Sequence, residues 1–202
     1  MGRLVTFGCS YTYGTGLKDI YKIPTISNSL PSIYAWPSWL GQKLKLEVIN
    51  KSYPGSGNGE ILNNLLRFDF NKDDIVVIMW SHFVRYDQYT VDNIDYNGKR
   101  NWVKIADIKN DDYTWDNAYK NYLAFHHAAM YLQNREIKNL SFIAFNQDYE
   151  KYPQPLYLKI PNLYEIKGYV QDQALDKGHF GIKSHMALAD MLYNIIEKNE
   201  LR

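Results

Sequence analysis

Cys9 is the only cysteine in the chain, which excludes an internal disulfide and any cysteine-built zinc site. Only five histidines are present, scattered without the paired spacing of metal ligands, so no metal or organic cofactor is expected. No apolar run approaches the ~20 residues needed to span a bilayer. Neither sign of charge dominates: 23 basic residues against 22 acidic ones leave a formal charge of +1. That balance removes any global pull toward nucleic acid or acidic lipid. No repeat, low-complexity tract or linker interrupts the 202 residues, which read as one domain able to bury a substantial core. No signal peptide is visible ahead of the first apolar stretch, so a cytoplasmic or virion-associated protein is expected. Met1-Gly2-Arg3-Leu4-Val5-Thr6 fits the loose myristoylation pattern, but burial of Leu4 and Val5 in a strand would make that end a poor anchor.

What the sequence does have is aromatic side chains: 18 tyrosines and five tryptophans. An A/T-rich coding sequence accounts for the total, since Asn, Lys and Ile are abundant as well. A surface for stacking on sugars is the competing explanation for the clusters.

Leu4 to Phe7 is short, apolar and β-rich, as a buried strand requires. Gly8 breaks it, and Gly8-Cys9-Ser10-Tyr11-Thr12 leaves a serine just past its carboxyl end, where open α/β sheets place their chemistry. A polar loop over 17–35 precedes a helix from Trp36 to Leu44 with Trp36, Leu40 and Leu44 on one face. A second strand, Glu47–Asn50, runs into Tyr53-Pro54-Gly55-Ser56-Gly57-Asn58-Gly59, which opens a helix over about 60–68. Ile75–Trp80 is uninterruptedly apolar, the mark of a strand covered on both faces. From 81 to about 115 the pattern loses its period. This segment reads as an irregular insertion holding Arg85, Arg100, Trp102, Tyr113 and Trp115, with a hairpin turn at Asn97-Gly98. A long helix follows over about 115–134, with Tyr119, Tyr122, Leu123, His126 and Met130 on a stripe. A fourth strand is expected over 140–146, mostly loop over 147–182, and a last helix over about 184–198 with Leu188, Leu192 and Ile195 inward. Strand and helix alternate throughout, so the expected fold is a three-layer α/β/α sandwich around a mainly parallel sheet.

Just ahead of the last helix stands Leu175-Asp176-Lys177-Gly178-His179-Phe180-Gly181. An aspartate and a histidine three residues apart on one turn can meet side chain to side chain. The carboxylate then holds the imidazole tautomer, and the imidazole serves as the base that a serine hydroxyl needs to act as nucleophile. Ser10, Asp176 and His179 are therefore the candidate catalytic residues.

The first and last of these blocks together resemble the SGNH (GDSL-like) hydrolases over nearly the whole chain. Cys9 stands where the signature has aspartate, and Phe180 where proline is common. The resemblance implies a flavodoxin-like sheet and a serine esterase that works through an acyl-enzyme. It also implies an oxyanion hole built from the Ser10 amide, the Gly55 amide and a third donor. The family's asparagine after the third strand is missing here: the chain reads Trp80-Ser81-His82-Phe83. Asn58 is the preferred substitute, with His82 or Ser81 as alternatives. Tyr11, Trp80 and Arg85 are candidates to line the substrate cleft. A small acyl ester is the expected substrate, with an O-acetylated sugar as the best single guess. The alternative is a catalytically weak or inactive module of the same fold, serving a larger assembly such as a phage particle.

Overall fold

A computed structural model describes residues 2–21, 30–82, 86–94, 100–105, 112–143 and 160–201; for 86–94, 100–105 and 112–118 it describes the backbone alone. Five parallel strands form the central sheet: β1 (Arg3–Phe7), β2 (Glu47–Asn50), β3 (Ile75–Trp80), β6 (Lys138–Ile143) and β7 (Leu163–Glu165). Their order is β2-β1-β3-β6-β7. A separate antiparallel pair, β4 (Tyr86–Ile94) and β5 (Arg100–Ile105), lies between β3 and the long helix in sequence.

The pleat of β3 explains the three layers. Ile75, Val77 and Met79 point to one face and join Leu4, Leu140 and Phe142. There they meet Trp36, Leu40 and Leu44 of α2 (Trp36–Leu44) and Leu188, Leu192 and Ile196 of α5 (Ile182–Lys198). Val76, Ile78 and Trp80 point the other way and join Val5 and Phe7. Ile61 and Leu65 of α3 (Asn58–Leu66) and Phe125, Ala128 and Leu132 of α4 (Asp112–Asn134) cover that side. Every residue of β3 is buried, as its unbroken apolar run requires. At the amino-terminal edge, buried Asp74 accepts the Arg3 N–H and its guanidinium at 2.6 Å, pinning β1 to the start of β3.

Several expectations are corrected. Within the 81–115 stretch, read from the sequence as irregular, β4 and β5 pair as an antiparallel ladder; they flank the segment that holds Asn97-Gly98, and that turn lies outside the described residues. The segment over 147–182, expected to be mostly loop, also holds β7, three residues too short and mixed to show a period. On α4 the stripe is misplaced: Tyr119 and Met130 are exposed, while Ala124, Phe125, Ala128 and Leu132 face the sheet. Alanine carries this face, and a search for large apolar residues misses it. On α5, Ile196 is fully buried and Ile195 only partly. Among the described residues no helix is long and apolar enough to cross a membrane.

The strand order reverses between β1 and β3. In a doubly wound sheet the crevice at that reversal, beyond the carboxyl ends of the strands, is where ligands bind. The carboxyl ends of β1, β2 and β3 carry Ser10, the Gly55 loop and Ser81-His82 respectively.

Candidate active site

Ser10 opens α1 (Ser10–Tyr13), a single turn entered directly from β1. The turn is closed by backbone bonds: the N–H groups of Thr12 and Tyr13 donate to the Cys9 carbonyl, and those of Gly14 and Thr15 to that of Ser10. Gly8 is required where strand becomes helix, because a Cβ there would stand 2.1 Å from Thr12 Oγ1 and 3.1 Å from the Met79 carbonyl oxygen. Asn50, ending β2, donates its amide to the Thr12 carbonyl at 3.0 Å and ties the turn to the neighbouring strand. Ser10 is 6% exposed, and among the described residues its side chain makes no hydrogen bond.

Asp176 and His179 meet as their spacing predicts, with Nδ1 of the imidazole 2.6 Å from Asp176 Oδ2. The N–H groups of Gly178 and His179 donate to the other carboxylate oxygen at 3.0 and 3.1 Å. Burial by itself would raise the Asp176 carboxyl, but these N–H groups and the His179 ring outweigh it and hold the group below its ordinary value. A carboxylate in contact with Nδ1 fixes the proton there and leaves Nε2 as the basic nitrogen.

The two blocks, more than 160 residues apart, clasp each other. The Leu175 N–H donates to the Gly16 carbonyl at 3.0 Å. Gly16 has φ +83°, and a Cβ on it would lie 2.5 Å from the Asp176 carboxyl carbon, so the carboxylate packs directly on this backbone. The Tyr11 hydroxyl donates to the Gly178 carbonyl at 3.1 Å. The Tyr11 ring lies 4.8 Å from the His179 ring, 4.3 Å from Phe180 and 6.3 Å from His82, measured between centroids. His179 is thereby held beside the residue that follows Ser10.

The other site candidates divide. Gly55 takes left-handed backbone (φ +89°) with open space beside it, and among the described residues it makes no hydrogen bond. His82 stands half-buried at the end of β3, facing Tyr11. Asn58 is 1% exposed and its amide is already committed. It donates to the Ser81 carbonyl at 3.2 Å and to Asn121 Oδ1 at 2.9 Å, while its own oxygen accepts the Ser81 N–H at 2.7 Å. Both amide hydrogens are spent on joining α3, α4 and the end of β3. Trp80 does not line a cleft: it is fully buried, its ring 4.4 Å from that of Phe125, because the inward alternation of β3 runs to its last residue. Arg85 lies outside the described residues.

Two contributors escaped the sequence: Asn121 and Gly16 act on partners far along the chain. His185 lies in the first turn of α5, buried, with Nδ1 accepting the Trp36 N–H at 3.1 Å. Burial pushes its pKa down to about 4. Among the described residues no group of three or more His, Cys, Asp or Glu side chains converges to hold a metal.

No family model and no curated protein matches this sequence. Solved structures do. An acetyl xylan esterase, Est2A, from the rumen bacterium Butyrivibrio proteoclasticus matches all of this chain with a TM-score of 0.62 at 14% identity. This chain spans 65% of that protein's length. A carbohydrate acetylesterase from Sinorhizobium meliloti matches with a TM-score of 0.56 at 12% identity, over 98% of this chain and 100% of that one. A G-D-S-L family protein from Desulfitobacterium hafniense matches with a TM-score of 0.57 at 11% identity, over 96% of this chain and 99% of that one.

Proposed function

The chain has the SGNH-hydrolase fold, and on that premise we propose that it is a serine ester hydrolase acting on small acyl esters of carbohydrates. The observation that carries the reading is the 2.6 Å contact of Asp176 with His179, on a loop bound to the Ser10 turn through Gly16 and Tyr11. In the proposed reaction Ser10 Oγ attacks the ester carbonyl carbon while its proton passes to His179 Nε2. The carbonyl π electrons move onto oxygen, and the N–H groups of Ser10 and Gly55 receive that charge. Collapse of the intermediate expels the alcohol, which takes the proton from His179. Water, deprotonated by the same nitrogen, then releases the acyl group as a carboxylic acid and restores Ser10. With the Asn58 amide committed, His82 is the third oxyanion donor in this reading. Carbohydrate as the acylated partner is supported by the acetyl xylan esterase and carbohydrate acetylesterase among the similar structures.

A non-catalytic reading has one specific observation in its favour. The strand end that should supply an asparagine donor supplies Ser81 and His82 instead, and the nearby amide of Asn58 is spent. Loss of one oxyanion donor costs about 10²–10³ in rate, so the two readings differ in measurable turnover. Hydrolysis of p-nitrophenyl acetate by wild type and Ser10→Ala, with fluorophosphonate labelling in parallel, decides between them. Turnover and labelling in wild type, both lost in Ser10→Ala, are expected. Turnover retained in Ser10→Ala removes Ser10 as the nucleophile, and a folded wild type that neither turns over nor labels favours the binding module.

A further inference from the structure

The loop that carries Asp176 and His179 is mostly exposed. Leu175, Asp176, Lys177 and Gly178 all stand in solvent, and Lys177 at the tip adopts left-handed backbone with φ +58°. Apolar burial therefore does little to fix its shape. Its two ends are joined at Asp172. The Asp172 carbonyl accepts the Gly181 N–H at 3.0 Å, and its carboxylate accepts the Ser184 N–H at 2.8 Å and the Lys183 N–H at 3.2 Å. The Ser184 hydroxyl, fully buried, donates to the same carboxylate at 2.8 Å and accepts the N–H groups of Gln171 and Asp172 at 2.8 and 2.9 Å. Gly181 has no Cβ to obstruct this: one would lie 2.4 Å from the Asp172 carboxyl carbon. Inside the clamp, Gln173 and Phe180 pair as an antiparallel bridge and the Ala174 N–H donates to the His179 carbonyl at 2.9 Å. The segment is a closed loop: Asp172 and Ser184 lock its base to the start of α5, and the carboxylate–imidazole pair rides at its tip.

We infer that Asp172, acting through Ser184 and the start of α5, is the positioning residue that holds the Asp176–His179 pair in the geometry of a working base; this rests on the reading of His179 as that base. Burial by itself would raise the Asp172 carboxyl, but the Ser184 and Lys183 N–H groups and the Ser184 hydroxyl keep it ionised and below its ordinary value. Asp172 touches no reacting atom. Its effect falls on proton transfer, which needs atoms placed to within a fraction of an ångström, and not on substrate affinity.

The test uses the full chain and the variants Asp172→Ala, Asp172→Asn and Ser184→Ala, each checked for folding by circular dichroism. In Asp172→Ala, kcat for p-nitrophenyl acetate is expected to fall about 10–100-fold with KM within about twofold, because misplacement of catalytic groups on this scale costs that much. Asp172→Asn, which keeps one acceptor, recovers part of the loss. A proton NMR spectrum supplies a second readout that needs no turnover. The His179 Nδ1–H held by Asp176 gives a far-downfield signal, identified by its absence in His179→Gln, and it is expected to disappear in Asp172→Ala. Folded Asp172→Ala with wild-type kcat and an intact signal overturns the inference. Should wild type itself show no turnover, the esterase reading fails, and the NMR signal alone decides: retained in Asp172→Ala, it overturns the positioning role, and lost, it upholds it. If Asp172→Ala does not fold, Ser184→Ala replaces it under the same criteria, with a fall in kcat of about 3–10-fold expected from loss of one clamp bond.

Discussion

Ser10 and the Asp176–His179 pair arrive at one sheet edge by different routes. The Ser10 turn is shaped by main chain: a central strand stops at a glycine, four N–H groups close a single helical turn, and one side chain, Asn50, braces it from β2. The 172–181 loop has no strand behind it, and beside the Gln173–Phe180 bridge its shape comes from side-chain acceptors, Asp172 at its base and Asp176 at its tip. A serine needs only to be presented, which backbone geometry does well. An imidazole that must face a chosen direction with a chosen tautomer needs a carboxylate, and the loop holding both needs another. The comparison predicts that polar substitutions cost activity on the loop side and stability on the strand side.

The largest expected effect is on the loop side. Asp176→Asn keeps the shape of the side chain but removes the charge that faces His179 Nδ1 and fixes its proton. It should lower kcat by about 10²–10⁴ with the thermal midpoint little changed. A decrease below about tenfold would mean that the backbone alone orients His179 and would dissolve the contrast.

Next in size is acid sensitivity beneath the loop. His185, in the first turn of α5 against the start of α2, has its pKa lowered by burial from 6.5 to about 4, so between those values the unfolded chain binds the proton more readily than the folded one. Stability contributed by neutral His185 is complete above about pH 6.5 and declines as pH falls toward 4, by roughly 3 kcal/mol over the window. His185→Asn, which retains an acceptor for the Trp36 N–H without the titration, should flatten urea-unfolding stability across that range. An unchanged slope would show that other groups set the acid limb.

On the strand side, Asn58→Ala removes the acceptor of the Ser81 N–H and the donor to Asn121 Oδ1 in a buried setting. The expected cost is about 1–3 kcal/mol of stability, with kcat of the folded protein within about tenfold of wild type. A fall of 10²–10³ in kcat at unchanged stability would instead make Asn58 an oxyanion donor. Smallest is the link between the two sides. Tyr11→Phe deletes the hydroxyl bond to Gly178 and leaves the ring against His179. About 0.5–1.5 kcal/mol of stability should go, with kcat/KM within about fivefold, readable by paired melting and kinetic runs.

How much of this was legible beforehand differs by region for a physical reason. Asp176 and His179 are three residues apart, and that spacing on one turn dictates their meeting. The six apolar residues of β3 announce a covered strand, and strand–helix alternation announces the layers. The same run misled at its last residue, because nothing in Trp80 itself says whether a strand's final side chain faces the crevice or the core. Asn58 looked available because a glycine loop reads as open, whereas α4, arriving from more than 60 residues away, brings Asn121 to take up its amide.

By itself the sequence determined the elements whose causes are local: strands from alternation and apolar runs, α2 and α5 from their apolar faces, and the aspartate–histidine pair from its spacing. Tertiary structure alone decided which strands neighbour one another, that the order reverses beside β1, and that Gly16 and Tyr11 clasp a loop from the other end of the chain. It also decided that Asp172, Ser184 and Asn121 serve that edge. Those contacts depend on how packed layers bring distant backbone groups within hydrogen-bond distance, and a linear pattern carries no record of that distance.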